Sequence, residues 1–320
     1  MTTITRRAAL ALGGAAFATR AHAQDSWPNR PLRIIVPFPP GGPADGSARA
    51  LAEVMSPALG QPVVVENRAG AGGVIGITAA AQATDGHTLL MGSTSMTVTP
   101  ALRADLPYDI FRDFAPVGMV SAQPLVLVVP ANSPLRDVAA VVAAGKNPGL
   151  NSGTSGNGTL SHLAIELFNA RTGTQISPVA YRGESAIVPD LLNATLSMGF
   201  LNLPILLPLL AEGKLRALAV GSPQRSDRLP TVPTFAEAGV QGMEAQGWAA
   251  LLAAKGVPEA GLAKLEAALQ TALRSEPVKA RFAAFGVTPV ISTRAGLAQY
   301  LREEYERWGE VVRSRGIRAQ

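Results

Sequence analysis

Two glycine-rich stretches carry the residue types best suited to holding an anion. The first, Pro39-Pro40-Gly41-Gly42-Pro43-Ala44-Asp45, joins an apolar run to an amphipathic one. The second, Gly153-Thr154-Ser155-Gly156-Asn157-Gly158-Thr159, does the same in the other half of the chain. Glycine lets successive N–H groups turn outward, and a helix that starts there leaves its first donors unpaired and partly positive. A carboxylate or phosphate at such a terminus gains about 0.3–1 kcal/mol, and up to about 2 kcal/mol where the site is partly buried. Two such starts facing each other would hold both ends of a short dicarboxylate. On composition alone the plainer reading of both stretches is an ordinary helix-entry turn.

Enzymatic alternatives fail on spacing. There is no GxxxxGK[ST] string, and Gly153, Gly156 and Gly158 are spaced GxxGxG rather than GxGxxG, so neither nucleotide fingerprint is present. Asn157 stands where a GxSxG nucleophile elbow needs glycine. A serine hydrolase using Ser155 and His162 is the one enzyme left to weigh. His162 falls inside a helical stretch, 159–171, where a capping or packing role suits it better than that of a general base. His87 opens a buried strand and reads as structural. With no cysteine and no histidine or carboxylate cluster, neither a metal centre nor any other cofactor is expected. Arg182, in a strand-to-helix loop, is placed to meet an anion or to pair with Glu184. Phe38, Phe168 and Phe200 read as core residues.

The compartment is written in the first residues. Positions 1–23 hold Arg6, Arg7 and Arg20, no acid, an apolar run from Ala8 to Ala18, and Ala21-His22-Ala23 at the end. This is the pattern of a secretory signal peptide cleaved near Ala23, with an apolar middle too short to span a bilayer. The Arg pair is compatible with twin-arginine export, and the general secretory route stays open. Periplasmic location follows as the expectation. Without the leader, 25 basic residues face 23 acidic ones, a formal +2 in place of the whole chain's +5. No basic block remains, so no nucleic-acid or membrane-surface role is indicated. About 300 residues without disulfides can bury an ample core, and that length favours two lobes.

The elements that would position the loops alternate regularly. The run at 32–38 (LRIIVPF) reads as a buried strand, followed by a helix ending at Gly60, a strand at 63–66, a helix at 74–82 and a strand at 88–91. That is βαβαβ, the pattern of a parallel, doubly wound sheet. It restarts with a strand at 125–129 and a helix capped by Ser133-Pro134 and running to about Ala144. A strand near 150–152 and a helix at 159–171, stopped by Gly173, come next. Further strands are expected at 179–181, 196–201 and 215–220, and amphipathic helices at 259–274 and 294–313.

Read in order, these strings resemble the Bug/TctC family, the extracytoplasmic solute receptors of tripartite tricarboxylate transporters. The carriers are WPNRP at 27–31, PFPPGG at 37–42 with Asp45 and Arg49, GQPVVVENRAGAGG at 60–73, DGHTLL at 85–90 and LPYDIFRDFAPV at 106–117. In the second half they are SGNGTLSHLAIELF at 155–168, YRG at 181–183, LRALAV at 215–220 and LPTVPTFAEAG at 229–239. The resemblance implies an α/β fold of the type II periplasmic binding protein kind, two doubly wound lobes joined by crossing hinge strands. On that basis the crossings fall near 123–126 and 246–251, with lobe one formed by 24–124 and 250–320 and lobe two by 125–249.

The resemblance also implies a small carboxylate held between the glycine loops. Pro40, Gly41, Gly42 and Asp45 would form one jaw, Ser155, Gly156, Asn157 and Thr159 the other, with Thr94, Ser95, Tyr181 and Arg182 as lateral contacts. The implied partners are the membrane permease subunits of a tripartite transporter or, alternatively, a sensor kinase, and a monomer is expected. Pro43-Ala44 stands where the family usually has Ser-Thr, and the segment at 193–204 (NATLSMGFLNLP) is unusually apolar. Both departures point to a less polar cleft and to a ligand with one carboxylate and an apolar or aromatic body.

Overall fold

The computed structural model describes residues 27–103, 105–181, 183–285 and 287–317. The expected leader and Arg182 lie outside the described residues. The first lobe opens as β1 (Leu32–Val36), α1 (Pro43–Leu59), β2 (Val63–Asn67), α2 (Val74–Ala81) and β3 (Thr88–Ser93). β1 is apolar at every position but Arg33 because it runs down the middle of a sheet, hydrogen-bonded in parallel to β2 on one side and β3 on the other. Glycine stops α1 at Gly60, in the left-handed region with φ +70°.

After the short helix α3 (Ser95–Leu102) comes β4 (Phe114–Pro130), a strand of 17 residues that serves both lobes. Its first half runs antiparallel to β9 (Gln246–Ala254), from Phe114↔Ala254 to Pro124↔Gln246. From Leu125 onward it pairs instead with β7 (Met198–Asn202) and β8 (Leu215–Val220). The full path is β2-β1-β3-β9-β4-β7-β5-β6, with β5 at Asn151–Thr154 and β6 at Ser177–Ala180.

The second lobe adds helices α4 (Val138–Gly145), α5 (Leu160–Thr172), α6 (Val188–Leu192) and α7 (Leu203–Ala211). The chain then returns to the first lobe through β9, α8 (Glu259–Arg274), α9 (Glu276–Ala284) and the two-residue β10 (Thr288–Pro289), and ends in α10 (Arg294–Arg315). This is the expected α/β architecture of two lobes.

Each sheet is covered on both faces. In the first lobe Leu51, Met55, Leu265, Leu269 and Phe282 pack one face, and Ile77, Met96, Leu297 and Leu301 the other. In the second, Phe168, Phe200 and Phe235 meet at centroid distances of 5.9–6.0 Å within one core, and Leu191, Leu203 and Leu206 fill the opposite face. Two helices contribute to both lobes. α3 gives Met96 to the first lobe and Val98 to the second. α10 gives Leu297 and Leu301 to the first and Trp308, Val311 and Val312 to the second.

Several local expectations are corrected. The helix expected from Ser133-Pro134 begins at Val138, because the Asp137 side chain accepts the Ala140 N–H and caps it there. Ser133 instead accepts the Leu135 N–H in a turn. The strand expected from 125 begins at Phe114. Pro116 and Gly118 interrupt regular pairing in its first half, and register shifts at Pro116/Gly118 and Met119/Ser121 absorb the irregularity.

Candidate functional site

A cleft of about 440 Å³ opens where the β4–β9 crossing meets the ends of β1, β3 and β7. Its floor comes from Ser121 and Gln123 of β4 and from Gly247, Trp248 and Ala249 of β9. Its walls include Phe38, Ala44, Ser47, Ser93, Thr94, Ser95 and, from the second lobe, Asn202. No charged side chain is among the described residues that line it. The polar groups of the described lining are hydroxyls and the amides of Gln123 and Asn202, and backbone donors stand beside them.

Two helix starts supply those donors. α1 begins beside the cleft with Gly42 as N-cap and no side-chain cap, and its first intrahelical bond runs from the Gly46 N–H to the Gly42 carbonyl. Pro43 has no N–H, which leaves those of Ala44 and Asp45 as unpaired donors at the helix start. α3 begins at the same cleft behind Thr94, again without a side-chain cap. The Thr94 hydroxyl accepts the Trp248 N–H at 3.1 Å, fixing this second helix start to the crossing strand, and the Ser93 and Ser95 hydroxyls share a hydrogen bond of 2.9 Å.

Asp45 has an internal duty. Its buried carboxylate accepts the Gly41 N–H at 2.9 Å and the Arg49 Nε–H at 3.0 Å. Burial pushes the carboxyl up, but the bonds from Arg49, Gly41 and Asn67 outweigh it and hold the group below its usual range. Arg49 in turn reaches Asn67 Oδ1, and Asn67 Nδ2 donates to the Phe38 carbonyl. The ENR string at 66–68 thus braces the PFPPGG turn. Pro40, Gly41 and Gly42 sit in that braced turn, just ahead of the lining residues Pro43 and Ala44.

The second glycine loop is also self-contained. The Ser155 hydroxyl and N–H both meet the Ser161 hydroxyl, at 3.0 and 2.9 Å, and Thr159 Oγ1 donates to the Gly156 carbonyl at 2.7 Å. His162 Nδ1 accepts the Gly158 N–H at 2.9 Å, and burial holds the imidazole below its ordinary pKa. That nitrogen is committed to the loop and not to Ser155. None of Ser155, Gly156, Asn157 or Thr159 lines the 440 Å³ cleft in this conformation. Their loop approaches the far end of α3 instead, where a Cβ built on Gly158 would stand 2.7 Å from Leu102 Cδ1. The eight residues of α3 are about 12 Å long, which sets the separation between this loop and the wall formed by Thr94 and Ser95. The Tyr181 hydroxyl donates to Asp190 at 2.5 Å, and that bond, with burial, pushes the phenol up to about 12.

Several lining residues were not read from the sequence. Phe38, read as a core residue, forms part of the cleft wall, whereas Phe168 and Phe200 are wholly buried. Ser121, Gln123, Asn202 and Trp248 lie on or beside the crossing strands, and the expected crossings at 123–126 and 246–251 were the available signal for Gln123 and Trp248 only. Among the described residues no cluster of three or more potential metal ligands occurs, and no helix is long and apolar enough to cross a membrane.

The chain is similar to known proteins over most of its length. The model of the tripartite tricarboxylate transporter family receptor matches residues 47–317. Protein BugT of Bordetella pertussis is 42% identical over 299 residues, covering 92% of each chain. A Rhodopseudomonas palustris protein solved with bound malate superposes with a TM-score of 0.69 at 31% identity, over 89% of this chain and 100% of that one. Another from R. palustris, solved with adipate, gives 0.73 at 32% identity, over 91% and 99%. The solute receptors of tripartite tricarboxylate transporters, a family of binding proteins and not of enzymes, are the family to which this chain belongs.

Proposed function

We propose that the chain is an exported periplasmic receptor that captures a small carboxylate between its lobes and presents it to the permease of a tripartite transporter. The observation that carries this reading is the cleft wall: two uncapped helix starts and a set of hydroxyls converge where no charged side chain of the described residues intrudes. Such a site suits a carboxylate, which accepts several N–H and O–H bonds at once. Malate and adipate in two similar proteins support the ligand class.

Capture proceeds by hinge closure. Both lobes hang on β4, which changes partners at Leu125, and on the chain entering β9, whose pairing with β4 starts at Pro124↔Gln246. A bend there carries the 155–159 loop toward α1 and the start of α3. A ligand that touches both lobes favours the closed form by its differential affinity for it. Ala44 and Phe38 make one wall apolar, which suits a ligand with a single carboxylate at this end and an apolar body.

The test is a thermal-shift and calorimetric screen of the chain from Gln24 onward against mono-, di- and tricarboxylates, amino acids and aromatic acids. Stabilisation by a carboxylate is expected, rising with concentration as mass action requires. Stabilisation by amino acids or neutral solutes only, with none from carboxylates, would overturn the reading.

A further inference from the structure

A second chamber adjoins the first. It measures about 490 Å³ and shares Gln123 and Val287 with the walls of the cleft already described. Like that cleft it lies between the lobes. Leu203 and Leu207 of α7 and the 222–228 loop form one wall, Lys279 and Ala283 of α9 with residues 287–290 form the other, and Gln123, Pro124 and Gln246 of the crossing strands form the floor.

The chemistry of the two chambers differs. The first has no charged lining among the described residues; the second carries Arg225, Arg228 and Lys279 against the single acid Asp227. Lys279 and Arg228 are only lightly committed elsewhere, Arg225 more firmly. Lys279 pairs with Glu276 three residues earlier on an exposed helix face, a contact worth little. Arg225 spends its Nε on Glu237 at 2.8 Å and one terminal nitrogen on the Pro230 carbonyl. The Arg228 side chain makes no hydrogen bond or ion pair with the described residues, only its backbone N–H being engaged, by Ser226. Between Gln123 and this cationic lip Leu203, Leu207, Val287 and Val290 supply an apolar path, with Ser222, Gln246 and Thr288 also on the walls.

We propose that the two chambers form one bipartite ligand site, and that its ligand is an elongated dianion with an apolar middle. This rests on the capture reading and deepens it. One carboxylate meets the helix starts of the first cleft, the hydrocarbon or aryl body passes Gln123 and Val287, and the distal carboxylate lies among Arg228, Lys279 and Arg225. Because α7 and α9 belong to opposite lobes, filling the second chamber also links them and adds to the drive for closure. The distal cations distinguish long dicarboxylates from short ones and from monoacids of equal length.

The experiment is calorimetric titration of the chain from Gln24 onward with succinate, adipate, suberate and sebacate, each beside the monocarboxylate of the same chain length, at low and high salt. Expected is a preference of about tenfold or more for the longer dicarboxylates over their matched monoacids, weakening with salt. The double variant Arg228→Ala/Lys279→Ala, altered only at exposed side chains, should lose that preference while retaining its affinity for the monoacids. Circular dichroism confirms its fold. Equal binding of dicarboxylate and monoacid, tightest binding of succinate, or an unaltered preference in the double variant each overturns the bipartite site while leaving capture intact. Failure of every carboxylate to bind wild-type protein overturns the capture reading and the bipartite site together.

Discussion

The carboxylate of Glu304 accepts the indole N–H of Trp248 at 3.2 Å, joining the last helix to the floor of the cleft. The same oxygen accepts the indole N–H of Trp308 at 2.9 Å, and the other oxygen meets Arg307 at 3.0 Å. Arg307 also donates to the Glu244 carbonyl, just before β9. One buried acid therefore ties β9 to a helix that packs into both lobes.

Removing that acid orphans two buried donors at once. Each unsatisfied group costs about 1–3 kcal/mol, so Glu304→Ala should lose roughly 3 kcal/mol or more. Urea denaturation followed by tryptophan fluorescence measures it directly. A variant as stable as wild type would show that the indoles find other partners.

The same carboxylate gives a pH signature. Burial pushes Glu304 up, against the pull of Arg307 and the two indoles and with a further push from Glu244. An acid whose folded pKa is raised adds stability below its unfolded pKa, and that contribution is lost as pH rises through the folded value. Relative to Glu304→Gln, wild-type protein should therefore lose stability as pH rises above the ordinary glutamate range of about 4.3. Parallel melting curves for the two proteins above that range would contradict this.

Asp113 behaves in the opposite sense. Hydrogen bonds from Arg112 outweigh burial and, with Lys255 and the Asp109 N–H, hold its carboxyl well below the usual carboxylate range. Stability from this group is present above its unfolded pKa and is lost as pH falls toward the depressed folded one. Both cationic partners are about half exposed or more and are screened, so Asp113→Asn should cost only roughly 1 kcal/mol at neutral pH. The cost should shrink on the acid side of about pH 4. A cost that grows on acidification would show that the pairing is not its source.

Ala44 tests the first helix start. Ala44→Leu keeps helix propensity and fills the cleft directly over the unpaired N–H groups. The variant should fold, with a melting temperature within a few degrees of wild type, and lose carboxylate-induced stabilisation altogether. Retained stabilisation of normal size would place the anion elsewhere.

Much of the fold was legible in the sequence because it rests on period and punctuation. The buried run in β1, glycine stops at Gly60 and Gly173, and alternation of strands and helices are local signals. Three features were not local. The first half of β4 hides behind Pro116 and Gly118, whose irregularity only a partner strand can absorb. α3 is short, and its apolar residues divide between two cores, so no single amphipathic stripe marks it. The site was legible only in part, because glycine loops advertise donors whereas the cleft lining depends on which strand ends meet. Asn202 and Trp248 are 46 residues apart in sequence and converge only through β4. Motif strings spread along the chain also prove to be internal fastenings: Trp27 Nε1 donates to the Gly86 carbonyl, and Arg30 to that of Asp85.

The division of α10 between two cores has a consequence for synthesis. The second lobe's own strands and helices are complete well before β9 is made, yet its interior still lacks Trp308, Val311 and Val312. A missing tryptophan of this kind costs a core about 3–5 kcal/mol. A nascent chain therefore holds an unfinished second lobe until α10 has been made, which ties final compaction of both lobes to the last helix.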